Sequence, residues 1–140
     1  MSSLFSQIIS GEITCYKVAE DEEFLAFLDI NPIILGHSLV IPKIEIDYIF
    51  DLDDELLSRM MVFSKKVDLK LKSKIECIKI GIAVIGLEVP HAHIHLVPMN
   101  QVDDLNFRRP KLVVTKEELL LMKKKLNPSG YAAGGRKVLD

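Results

Sequence analysis

Residues 91–98 read His-Ala-His-Ile-His-Leu-Val-Pro, and this strict alternation restricts the fold more than any other feature of the chain. A period of two belongs to a β-strand, whose successive side chains point to opposite faces; no helix keeps such a set on one side. The expectation is a strand from Val89 to Pro98 with His91, His93 and His95 on one face and Ala92, Ile94 and Leu96 directed into a core. The chain has four histidines, and the fourth, His37, opens a second β-branched run, His37-Ser-Leu-Val-Ile-Pro42, that can lie alongside. Three polar rings on one face are costly to bury without use.

Hydrophobic periodicity supplies the remaining elements. Leu4, Phe5, Ile8 and Ile9 recur at helical spacing and stop at Gly11, which predicts a short helix closed by a glycine cap. Between Tyr16 and Asp29 two apolar runs flank Glu20-Asp21-Glu22-Glu23, a hairpin pattern, and Asn31-Pro32 ends it. Residues Asp53 to about Lys74 form a long amphipathic helix with an acidic start. Ile78–Ile85 reads as a strand joined to Val89–Pro98 by a very short connection around Gly86-Leu87-Glu88, so the two pair antiparallel. Thr115-x-x-Glu118 is a capping box for a last helix ending near Leu126. This order predicts an α+β domain over residues 1–127, with a mainly antiparallel sheet and helices packed on one side, then a mobile tail over 128–140.

With 140 residues and 49% hydrophobic content, the chain can bury one core and is short for two domains. A net charge of -2 gives no global attraction to nucleic acid or an anionic membrane, so neither is expected as a partner and phosphate contacts must be local. Met1–Ser6 lacks a basic start and an apolar run, and no stretch approaches the roughly 18 apolar residues of a span. A cytoplasmic protein is expected. Cys15 and Cys77 suggest neither a disulfide framework nor a metal knuckle and read as buried thiols, and Lys123-Lys124-Lys125 reads as a solvated helix end.

Two chemistries suit the histidine row. A metal site is one, but along a strand the Cα atoms of His91 and His95 stand about 13 Å apart, too far for three successive rings to converge on one ion. A two-histidine site completed by His37 or a carboxylate stays open. The other spreads the row along a phosphate, one neutral imidazole attacking phosphorus while its neighbours donate hydrogen bonds.

His91-Ala-His-Ile-His-Leu-Val97 matches the histidine triad signature at every position, and Phe5 to Ile13, Ala26-Phe-Leu-Asp-Ile-Asn-Pro32 and Gly36-His-Ser-Leu-Val-Ile-Pro-Lys43 follow in the same order. Over residues 4 to 98 the chain resembles the histidine triad (HIT) family, in its branch of histidine triad nucleotide-binding proteins. The resemblance implies a HIT-like fold with a five-stranded sheet and a homodimer whose sheets join. It also implies a purine, AMP-like nucleotide beside the histidines. His93 would attack the α-phosphorus and form a nucleotidyl-histidine, as in a nucleotide phosphoramidase. His95 would contact the bridging atom or phosphate oxygens, and His91 and His37 would complete the network around His93. Asp29 would bind the ribose, and Phe5, Ile8, Phe27 and Ile30 would hold the base. The wall at Gly86, with the backbone N–H groups of Glu88 and Val89, would cradle the phosphate.

No cofactor is implied, and no metal: Ser3, Ser6 and Glu45 stand where many bacterial members carry zinc ligands. Leu87 replaces a glutamine usual after the glycine, and the run Gly81–Gly86 is short and lacks an asparagine. These departures keep a second reading in view, a catalytically weak nucleotide-binding interaction protein; a metal-dependent hydrolase is the third.

Overall fold

The computed structural model describes residues 3–128; the tail expected over 128–140 lies, except for Pro128, outside the described residues. Helix α1 (Leu4–Ser10) is capped by Ser3, whose hydroxyl accepts the Ser6 N–H, and closed by Gly11 at φ 86°, a left-handed cap suited to glycine. There follow β1 (Lys17–Glu20), β2 (Phe24–Leu28), β3 (Ser38–Pro42), α2 (Asp54–Lys74), β4 (Lys79–Ala83), β5 (Ile94–Met99) and α3 (Lys116–Leu126). Asp53 caps α2 by accepting the Leu56 N–H, and the Thr115/Glu118 capping box that the sequence predicts starts α3. Two 3-10 turns, Ile49–Asp51 and Val102–Leu105, carry no periodicity long enough to have been read.

The strands form one five-stranded sheet in the order β1-β2-β3-β5-β4, with every pairing antiparallel. Alternation sorts the side chains. Phe24, Ala26, Leu28, Val40, Ile94 and Leu96 pack against Met60, Phe63, Val67 and Leu71 of α2 and Leu119 and Leu126 of α3. Leu25, Phe27, Leu39 and Ile41 face the other way, onto Phe5 and Ile8. The two long helices thus share the helix side of the sheet, while α1 packs on the histidine face. Burial of each large side chain in these layers contributes about 1.5–3 kcal/mol relative to exposure.

The main departure lies before the triad. Strand β5 starts at Ile94 rather than Val89, and residues 84–93 form an open connection rather than a tight turn. The β3–β5 ladder ends with Val40 opposite Ile94, and continuing it would set Ala92 against Pro42, which has no N–H to donate. Ala92 N–H turns instead to Ile46 C=O (2.7 Å) and His91 N–H to Val89 C=O (2.8 Å). Smaller corrections concern burial. Cys15 and Cys77 are half-buried rather than buried, and Lys123 is buried at 3% exposure while Lys124 and Lys125 face solvent.

Candidate active site

Antiparallel pairing of β3 with β5 brings His37, at the start of β3, beside His95, although 58 residues separate them. The rings then line up across the sheet face. Phe27 and Phe5 lie 5.6 Å apart between centroids, Phe5 and His93 5.0 Å, His93 and His95 4.8 Å, and His95 and Phe107 4.7 Å. All four histidines are buried in the fold, His37 and His91 almost completely.

Hydrogen bonds fix which nitrogen of each ring carries the proton. His93 Nδ1 lies 2.7 Å from the carbonyl oxygen of His91, an acceptor only, so Nδ1 is protonated and the Nε2 lone pair is bare. Ile33 N–H donates to His37 Nδ1 (3.3 Å), which puts the His37 proton on Nε2, from where it is donated to His95 Nδ1 (2.9 Å). His95 must therefore carry its own proton on Nε2. His91 is settled likewise: Nε2–H donates to Pro42 C=O (2.8 Å), and the Ser3 hydroxyl lies 3.2 Å from Nδ1.

Burial, with the charges of Lys111 and His93 as smaller contributors, pushes the His37 ring down to about 4. His95 is pushed down to about 3, first by burial and then by its histidine neighbours. Both rings are neutral at pH 7, which the tautomer chain requires. His91 is also lowered, chiefly by burial.

A cavity of about 450 Å³ opens over this row, within the range of small-ligand sites. Its lining includes the expected His37, His93, His95, Asp29, Ile30, Phe5, Ile8, Phe27, Gly86, Glu88 and Val89. The His91 ring is not on the lining; it acts through its carbonyl and its anchors. His37 bonds His95 rather than joining a network on His93 itself. Asp29, half-buried on the lining, lies 3.7 Å from His37 Nε2, its Oδ1 accepting the Asn31 N–H.

Sequence reasoning missed Phe107 and Lys111 on the lining, because they sit in an aperiodic segment after β5. It also missed the role of Ser3, Ser6 and Glu45. Glu45 Oε1 accepts the Ser3 N–H (2.7 Å) and the Ser6 hydroxyl (2.9 Å), and these bonds, the Ser3 N–H first, hold its carboxyl down at about 2. The start of α1 is thereby tied to His91.

Donor atoms of Asp29, His37 and His95 lie within 4.8 Å of one another, close enough to draw in a metal ion. The surrounding bonds suit one poorly. An ion would have to displace the proton between His37 Nε2 and His95 Nδ1, and the proton's alternative seat, His37 Nδ1, faces another N–H donor, where a ligating histidine needs an acceptor.

An open antiparallel sheet with α1 and a histidine row on one face and a cavity of about 450 Å³ above them defines the class to which comparison points. The HIT domain model matches residues 10–102, and the chain belongs to the HIT family. An uncharacterized HIT-like protein of Borreliella burgdorferi is 39% identical over 113 residues, covering 76% of this chain and 81% of the relative. A Schizosaccharomyces pombe protein named adenosine 5'-monophosphoramidase is 33% identical over 121 residues, 85% of this chain and 91% of that one. The solved structure of a hypothetical histidine triad nucleotide-binding protein from Sulfolobus tokodaii superposes with a TM-score of 0.74 at 30% identity, covering 87% of each chain. Among the described residues no helix is long and apolar enough to cross a membrane.

Proposed function

We propose that this protein hydrolyses purine nucleoside 5'-phosphoramidates or closely related nucleotides through a covalent nucleotidyl-histidine, without a metal ion. The observation that carries the reading is the bare Nε2 of His93 beside the protonated Nε2 of His95, both on the same cavity wall. His93 Nε2 uses its lone pair to form a bond to the α-phosphorus. The leaving nitrogen takes a proton from solvent, and the bond from phosphorus to it breaks with the electron pair staying on that nitrogen, so that a neutral amine departs while His95 Nε2–H donates a hydrogen bond to a phosphoryl oxygen. Water then attacks phosphorus and gives its proton back to solvent, and the P–N bond returns its electrons to His93.

The remaining lining divides the labour. Phe5, Ile8, Phe27 and Ile30 hold the base, and Asp29 accepts hydrogen bonds from the ribose. Among the described residues the backbone N–H groups of Glu88 and Val89 donate to no protein group, which leaves them for phosphate oxygens. The S. pombe relative's name supports the substrate class. Release of AMP from adenosine 5'-phosphoramidate with chelator present tests the whole reading; activity that chelator abolishes overturns the metal-free mechanism. Tight nucleotide binding by calorimetry with no turnover selects instead the binding-protein reading that the exposed Leu87 favours.

A homodimer built through β4 is part of the proposal. Among the described residues β4 is a sheet edge with one side of its backbone unpaired, and Ile78, Ile82, Val84 and Ile85 on and beside it stand 44–65% exposed. Light scattering is expected to give a dimer mass that Ile82→Glu converts to monomer. A wild-type monomer at micromolar concentration sinks the assembly.

A further inference from the structure

The row of rings has a direction. It begins at the apolar pair Phe27 and Phe5, passes His93 and His95, and ends at Phe107, over whose ring the Lys111 ammonium stands at 5.2 Å. With the base at the Phe5 end and phosphorus at His93, the group expelled past His95 emerges at Phe107 and Lys111. Both residues line the cavity.

Lys111 is held there by its neighbours. Arg109 binds Asp104 (3.4 Å) and Asp103 (3.7 Å), and its N–H donates to Asn106 C=O (3.1 Å). Arg108 N–H donates to Asn106 Oδ1 (3.0 Å), Pro110 fixes its own φ, and Leu112 N–H donates to Pro32 C=O (2.8 Å). The segment is anchored on both sides of Lys111, with Leu112 pinned to the loop that carries Asp29 and His37. The ammonium itself forms no salt bridge among the described residues. A cation carried over an aromatic ring, unpaired, at the leaving-group end of a cavity is arranged to meet an anion that arrives with the substrate.

We propose that Lys111, seated on Phe107, is the cation of a leaving-group subsite, and that the preferred substrates are nucleotides joined through nitrogen to a carboxylate-bearing amine such as an amino acid. The inference rests on the phosphoramidate reading above and adds the chemistry of the expelled group. One carboxylate fits better than a phosphate: a single lysine supplies the positive charge, since Arg109 is committed to Asp103 and Asp104, and the same lining carries the carboxylates of Asp29 and Glu88. A dianion would meet more negative charge than the site offsets.

Two adenosine 5'-phosphoramidates that differ only in this charge, the N-linked glycine conjugate and the N-linked glycinamide conjugate, test the proposal. The readout is the ratio of kcat/KM for the first over the second, taken within each enzyme so that general losses cancel. Wild type is expected to favour the glycine conjugate about fivefold, the scale of one partly solvated ion pair. Lys111→Gln should bring the ratio close to one, and Lys111→Arg should restore it. Raising the salt concentration should shrink it in wild type. A wild-type ratio near one, or an unchanged ratio in Lys111→Gln, overturns the subsite and leaves the phosphoramidate reading intact. A Lys111-dependent gain seen only with adenosine 5'-diphosphate, where phosphate leaves, overturns the carboxylate assignment. Failure of wild type to cleave either conjugate overturns this inference together with the reading beneath it.

Discussion

Replacing His93 by alanine is expected to lower the rate of AMP release by on the order of 10⁴-fold or more while leaving the fold in place, because the substitution removes the only group proposed to form a bond to phosphorus. The structural cost is small by comparison. The ring gives up one hydrogen bond, Nδ1–H to His91 C=O at 2.7 Å, and an edge contact with Phe5 at 5.0 Å between centroids. Together these are worth about 1 kcal/mol, which a well-folded domain of this size tolerates. Steady-state kinetics beside a thermal melt therefore separates the two effects. Wild type quenched in acid during turnover should carry one nucleotidyl group on the peptide containing His93, and the variant none. Retention of even a tenth of the activity by a folded His93→Ala protein would remove the nucleophile from the mechanism.

The second large effect concerns stability against pH. His37 and His95 are held at about 4 and about 3, well below an ordinary histidine, because the fold buries them around a shared proton. The unfolded chain takes up protons on both rings as pH falls below about 6.5, while the folded protein does not until about 4 and about 3. The unfolded state binds more protons throughout this window. Stability is accordingly full above pH 6.5 and falls steadily below it, by about 4 kcal/mol for the pair on going from pH 7 to pH 5.

The carboxylates with lowered values, Glu20, Glu23, Glu45 and Asp104, begin to lose their contribution only at lower pH. A loss confined to pH 7 to 5 thus reports the histidines. Urea unfolding at pH 7, 6 and 5 measures it, and a flat midpoint over that range would show that the rings are protonated in the folded state.

That buried, uncharged row also marks how far the sequence could be read. The period-two histidines were legible because a strand's geometry forces alternation onto opposite faces: Ile94 and Leu96 do enter the core beneath α2, and His93 and His95 do face the cavity. The glycine cap of α1 and the capping box of α3 were legible because Gly11, Thr115 and Glu118 act on backbone groups about three residues away, so local chemistry suffices. The start of β5 was misplaced because it depends on Pro42, a residue of another strand that has no N–H to offer Ala92.

Residue type and spacing by themselves determined the hairpin, the long helix and the strand that presents histidines. Tertiary structure alone decided which proton each histidine holds. Ile33 N–H, His37 and His95 become one chain only when β3 lies against β5, and the carbonyl that orients His93 belongs to a residue pinned by Ser3 and Pro42. It alone brought Phe107 and Lys111 to the cavity, since an aperiodic segment carries no internal rule for where it will lie. The reason is the range of the forces involved: backbone geometry and capping act within a few residues of one another, whereas a tautomer or a binding wall is set by groups that meet only after the sheet has closed around them.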